Sequence, residues 1–244
     1  MNELQEIQQL FATAASAIET RYSQRQQPGA VGPTQWADAL RQMFKVFEAL
    51  DAKNGVYAAL PYNDPSDLGE QGILLAADWA ERLELPQAKS DIAKIVVGIA
   101  LWVARHGGEI RELETVVDGL AAGANTTHAD EALRALFGAT KAVLEHTATA
   151  IKADLDQFNF GHPWSTLNLN FAIVATRIQD AELMHEAFET LSRNLPQDAP
   201  AFFEEGVKQS DKPVYGPVVK NLMPEYFGRF RLRVSKAECI NSAP

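Results

Sequence analysis

The chain of 244 residues contains a single cysteine, Cys239. One cysteine excludes a disulfide within the chain and with it a small disulfide-stapled secreted fold. Long apolar runs are also missing, because the longest, Ile95 to Ala104, has ten residues, about half of what a membrane-spanning helix needs. The first residues lack the basic and apolar regions of a secretory signal. These features predict a cytoplasmic protein without membrane insertion.

Motifs for catalysis and for nucleotide binding are lacking as well. The sequence contains no P-loop and no G-x-G-x-x-G, and no Ser/His/Asp grouping can be defined from it. We therefore predict no cofactor and assign no catalytic residue. A non-enzymatic function is favoured.

Charge is present but unevenly distributed. The net charge is -10, yet the segment from Lys212 onward has six basic and two acidic residues, which leaves 16 basic and 30 acidic residues before it. An acidic body repels phosphate groups and argues against nucleic acid as a partner of most of the surface. The basic C-terminal segment is the exception.

Helical periodicity dominates the first third of the chain. From Leu4 to Tyr22 apolar residues recur at steps of three and four, which predicts an amphipathic helix about six turns long. A second such pattern follows Thr34, and a third ends before Pro86. Glycine and proline predict linkers near residues 24–33 and 60–67.

Internal repetition characterises the rest of the chain. Leu101–Leu120 aligns with Ala172–Leu191 at an offset of 71 residues. In both copies a helix breaks at a short turn, and an acidic residue, Glu109 or Asp180, starts the next helix, where its carboxylate can accept hydrogen bonds from the free N–H groups of the first turn. The alignment predicts repeated helical hairpins.

The hairpins have a period of about 35 residues. Their predicted starts are near Lys94, Asp130, Ser165 and Ala199. Trp164, Leu167 and Phe171 have the spacing of the first helix of a tetratricopeptide repeat, and Pro196 closes the following helix, so this segment resembles that family. The resemblance implies stacked antiparallel hairpins. One long helix from Ala129 to about Asp156 fits the second unit equally well.

The predicted fold class is all-α, with stacked antiparallel helical hairpins in an α–α superhelix or tetratricopeptide-like solenoid. An irregular multi-helix bundle is the alternative. We predict an N-terminal helical region (1–90), a hairpin-repeat region (91–228) and a basic C-terminal tail (229–244). Stacked hairpins create an extended concave face without reactive groups, so the leading hypothesis is a scaffold, adaptor or chaperone-like protein that binds a protein or peptide and can form a homo-oligomer.

Four residues of the third hairpin are predicted to lie in or near this binding groove: Trp164, Asn168, Asn170 and Arg177. Amide side chains both donate and accept hydrogen bonds and can therefore hold a peptide backbone. The competing interpretation is that Trp164 packs in the turn between helices.

A helical metal site is the second hypothesis. Glu182, His185 and Glu189 occur at steps of three and four, so their side chains share one face of a helix. Side chains in this arrangement can ligate a metal ion, as in helical-bundle metalloproteins and enzymes. A solvated charged face is the simpler interpretation.

The basic tail gives the third hypothesis. Residues 227–236 interleave aromatic and basic residues, among them Arg229, Arg231 and Arg233. Such a segment can contact nucleic acid in a regulator, bind an acidic partner or fold back on the acidic body. Arg229 to Val234 is also the only strictly alternating stretch, the pattern typical of a strand.

Overall fold

The computed structural model describes residues 3–25, 34–52, 76–153 and 162–241, and over these ranges the chain forms helices and no β-strand. The helices are α1 (Glu3–Arg25), α2 (Thr34–Asp51), α3 (including residues 76–82), α4 (Pro86–Arg105), α5 (Glu114–Thr126), α6 (Asp130–His146), α7 (Thr149–Lys152), α8 (Pro163–Ile178), α9 (Ala181–Asn194), α10 (Ala199–Gln209) and α11 (Pro217–Asn241). The all-α prediction is confirmed. None of these described helices combines the length and apolarity that crossing a bilayer requires.

The chain divides into two compact units, one of Met1–Ala122 with Glu145–Ala148 and one of Gly123–Leu144 with Thr149–Pro244. In the first unit α1 packs mainly against α4. Most of the predicted apolar stripe of α1 is buried, with Leu10 and Tyr22 half-buried, and most of the apolar face of α2 is buried as well. The predicted linkers 24–33 and 60–67 lie, apart from Gln24 and Arg25 in α1, outside the described residues.

Stacked aromatic rings hold the C-terminal end of α4 against α2 in the first unit. The rings of Phe47 and Trp102 are stacked 3.7 Å apart, and the rings of Trp102 and His106 are stacked 3.9 Å apart. Asp51, at the end of α2, lies 3.1 Å from the Trp102 indole nitrogen and 2.9 Å from His106 Nε2. His106 is the C-cap of α4, and its contact with Asp51 ties α4 to α2.

The second unit contains two helical hairpins, α8 with α9 and α10 with α11. Pro163 begins α8, where the missing N–H of proline costs nothing, and Gln179 ends it in the left-handed conformation with φ 60°. Asp180 then accepts hydrogen bonds from the backbone N–H groups of Glu182 and Leu183 at 3.0 and 3.3 Å. This N-cap is the one predicted at Asp180.

Three sequence predictions are wrong. Arg229–Val234 is helical, because α11 continues through it to Asn241. The hairpin start near Lys94 lies inside α4, which begins at Pro86. The helix after Gly107–Gly108 is capped by Glu112, whose carboxylate accepts from the N–H groups of Glu114 and Thr115, and not by Glu109.

The single long helix over residues 129–156 is also not formed. Thr147 and Ala148 separate α6 from α7. There the Ala148 N–H donates to the Ile110 carbonyl at 2.9 Å, and the Ile110 N–H donates to the His146 carbonyl at 2.8 Å. These bonds to a distant loop replace helical ones, and a distant pairing of this kind leaves no mark in the local sequence.

Candidate binding groove

A groove of about 780 Å³ opens among α8, α10 and α11 of the second unit. Residues of all three helices line it, together with the turn before α10 and the loop before α11. They are Ser165, Thr166, Leu169, Asn170, Ile173, Thr176, Asp198, Ala201, Phe202, Glu205, Gly206, Gln209, Tyr215, Val219 and Met223. The volume falls within the range of pockets that hold a drug-sized ligand or a few side chains of a partner.

The surface of the groove is mainly apolar. Val219 and Met223 are buried in its floor, whereas the side chain of Ile173 is 43% exposed. Ile173 is one of three large apolar side chains exposed among the described residues. Ile173 therefore adds exposed apolar surface beside the buried apolar floor.

Close packing of α10 on α11 shapes the floor. A β-carbon on Gly206 would lie 2.6 Å from the Met223 sulfur, which is well inside contact distance. Only glycine therefore allows the two helices this approach without a shift of the methionine. The close approach of α10 to α11 at Gly206 places the Met223 side chain in the floor of the groove.

Of the four predicted groove residues, only Asn170 lines the groove. Trp164 is buried at the start of α8, with the Lys152 ammonium 5.8 Å from its ring centroid. Asn168 is fully buried and bridges two helices: it donates to the Trp164 carbonyl at 2.9 Å and accepts from the Asn194 amide at 2.8 Å. Both serve packing.

Arg177 is also engaged within the protein. Its guanidinium donates to the carbonyls of Ala124 and Thr127 at the C-terminal end of α5. Such carbonyls have no partner within their own helix, and a cation there is favoured by the helix dipole. Arg177 therefore ties α8 to the end of α5.

The three proposed metal ligands, Glu182, His185 and Glu189, lie along one side of α9, and two of them hydrogen-bond to Tyr226. Tyr226 of α11 donates its hydroxyl hydrogen to Glu189 Oε1 at 2.9 Å. Its oxygen lies 2.9 Å from His185 Nδ1, which must then be the donor because the hydroxyl has only one hydrogen. Glu182 is exposed. Within the described ranges no three His, Cys, Asp or Glu side chains form a group able to hold a metal ion.

The contacts of Tyr226 have electrostatic consequences. Burial, together with the hydrogen bond to Glu189, raises the pKa of Tyr226 to about 12. The hydrogen bond from Tyr226, together with Arg229, lowers the pKa of Glu189. The three groups hold α9 against α11 as a neutral phenol, a carboxylate and a guanidinium.

The predicted tail contacts fall in α11. Arg229 donates to Glu189 at 2.6 Å and to Glu225 at 2.8 Å, and its guanidinium lies 4.1 Å from the Tyr226 ring centroid. Arg229 thus pairs with acidic residues of its own unit. The side chains of Arg231 and Arg233 lie outside the described residues.

The contribution of α10 and α11 to the groove was not predicted from the sequence. One signal was available: Phe202 and Phe203 are adjacent, and neighbouring residues of a helix point in directions about 100° apart. Phe203 is fully buried, whereas Phe202 lines the groove. Two adjacent phenylalanines cannot both lie on one buried helix face, so the pair indicates that α10 has a second apolar surface.

Comparisons with protein families, with curated proteins and with solved structures find no match to this chain.

Proposed function

We propose that the chain is a non-enzymatic protein of stacked helical hairpins that binds a peptide or protein partner in the groove among α8, α10 and α11. The observation that carries the proposal is the exposed Ile173 above an apolar floor of Val219 and Met223. Apolar grooves between helices bind the apolar face of an amphipathic helix through side chains three and four residues apart. Stacked hairpins present such grooves between successive units, in the manner of tetratricopeptide-like solenoids.

Asn170 and Gln209 support the same proposal from the edges of the groove. The Asn170 amide can donate and accept hydrogen bonds at the rim, where polar contacts surround an apolar interface core. The Gln209 amide donates to Glu205 and accepts from Lys212, which leaves it one hydrogen and one lone pair for a partner. Ile173 and the floor would then contribute affinity, while the amides fix the orientation of the bound segment.

A selection from a random-peptide library displayed on phage tests the proposal. The wild-type protein should enrich peptides with apolar residues at helical spacing, because only such a face fits the groove. Ile173→Arg should weaken those peptides about tenfold or more, since a charge would replace the apolar contact.

The matched control is Val46→Arg, because Val46 of α2 is an exposed apolar side chain in the other unit. It should leave the affinity unchanged. Failure to enrich any helical peptide, or equal binding to the wild type and Ile173→Arg, would refute the proposed function.

A further inference from the structure

The charged side chains of the groove all have one sign. Among the described residues that line it, the charged ones are Asp198 and Glu205, and both are acidic. Asp198 precedes α10 but makes no capping hydrogen bond with its side chain. Glu205 accepts from the Gln209 amide at 2.7 Å, a neutral donor. Neither carboxylate forms an ion pair with a cation within the part of the chain that the structure describes, so each can pair with a cation of a partner.

The nearest cation on the same helix is already engaged. Lys208 of α10 pairs with Glu204 at 2.9 Å. Arg177 of α8 donates to carbonyls at the end of α5. Lys208 therefore forms its ion pair with Glu204 and attracts Glu205 only through space, and the chain as a whole carries a net charge of -10.

The two carboxylates have a defined separation. Asp198 and Glu205 are seven residues apart along α10 and its first turn, which is about two helical turns or about 10 Å. A second helix lying along the groove presents side chains at the same interval on one face when they are also seven residues apart. Such a helix could place one cation opposite each carboxylate.

We propose that the groove selects an amphipathic helix whose polar face is basic, with two Lys or Arg residues about seven positions apart that pair with Asp198 and Glu205. This inference rests on the proposed function, since it specifies the partner of the same groove. The apolar face covers Ile173, and the cations contact the rim, where complementary charges raise specificity and the rate of association.

Three synthetic helical peptides test the inference. They share one apolar face and carry Lys, Gln or Glu at two polar positions seven residues apart. Fluorescence anisotropy at low ionic strength should give the Lys peptide an affinity about tenfold higher than that of the Glu peptide, with Gln between them. Added salt should reduce the difference, because rim charges are screened.

Two neighbouring substitutions provide the matched control. Glu205→Gln should weaken the Lys peptide about two- to fivefold, and adding Asp198→Asn should weaken it further. Glu204→Gln should have no effect on binding, because Glu204 does not line the groove and pairs with Lys208. If Glu205→Gln and Glu204→Gln weakened binding of the Lys peptide equally, Glu205 would not be the residue that pairs with the peptide.

The outcomes separate the inference from the proposed function. If all three peptides bind equally and Ile173→Arg abolishes binding, the charge selection is wrong and the groove function stands. If none binds, the proposed function fails as well. If the protein instead self-associates in sedimentation experiments and Ile173→Arg prevents it, the occupant is a second copy of the chain, which also overturns the inference.

Discussion

Asn168 and Asn170 lie on the same helix, yet they have different surroundings. Asn168 has no exposed surface and joins the Trp164 carbonyl to the Asn194 amide, whereas Asn170 lines the groove. Both are asparagines in the first half of α8, and both were predicted from the sequence to lie in or near the binding groove. Only the packing of α9 against α8 decides which of the two is buried.

We therefore predict that Asn168→Ala lowers the free energy of unfolding by about 1–3 kcal/mol, because it removes one buried and one partly buried hydrogen bond and leaves the Asn194 amide without its partner. Asn170→Ala should change it by less than about 0.5 kcal/mol. Urea unfolding of the two variants measures both values. Equal destabilisation would contradict the distinction drawn between them.

Tyr226 gives the second prediction at this scale. Its pKa in the folded protein is raised from 10.0 to about 12, so the folded state holds the phenolic proton more tightly than the unfolded state does. The stability that this group contributes is fully present below pH about 10 and is lost as pH rises through about 12. Tyr226→Phe should therefore remove the decrease in the free energy of unfolding that ionisation of Tyr226 causes at alkaline pH.

The measurement is a set of unfolding curves between neutral pH and pH about 12, compared between the wild type and Tyr226→Phe. An absorbance titration should also show one tyrosine fewer ionising at the highest pH in the variant. Parallel pH profiles in the two proteins would contradict the role assigned to the Tyr226–Glu189 bond.

At the scale of elements, α1 and α2 could be predicted because their apolar side chains repeat at helical spacing, a property of the local sequence. The cap at Asp180 was predicted from another local feature, an acidic residue directly after a short turn. The break between α6 and α7 could not be, because it depends on hydrogen bonds to Ile110, far away in the sequence. The alternating residues 229–234 indicated a strand, but α11 begins at Pro217 and continues through them.

The close contact between α4 and α5 at Gly119 gives a prediction at this scale. A β-carbon on Gly119 of α5 would lie 2.8 Å from the Ala93 carbonyl oxygen of α4, and backbone cannot move aside cheaply. Gly119→Ala should therefore destabilise the protein by about 1–3 kcal/mol, the usual cost of overpacking. Thermal unfolding followed by circular dichroism measures the change.

Gly138 of α6 is the matched control, because a β-carbon there meets no atom within 4 Å. Gly138→Ala should stabilise the protein by up to about 1 kcal/mol, since alanine favours the helix and reduces the freedom of the unfolded chain. A shift of both variants in the same direction would contradict this account of the α4–α5 contact.

At the scale of the whole molecule, the groove arises from three helices of the second unit, none of which forms it alone. Asn170 was the only residue of the four predicted to lie there that lines it. The others hold the scaffold: Asn168 joins α8 to α9, and Arg177 joins α8 to α5. Sequence periodicity identifies the helices, but their mutual packing decides which apolar residues stay exposed.

The central claim is that a basic amphipathic helix binds in this groove. The most direct measurement is a titration of the protein, labelled at isoleucine, leucine, valine and methionine methyl groups, with the Lys peptide, followed by NMR. The account predicts shifts concentrated at Leu169, Ile173, Val219 and Met223. Shifts confined to methyl groups of the other unit, such as Val46, or no shifts at saturating peptide, would contradict it.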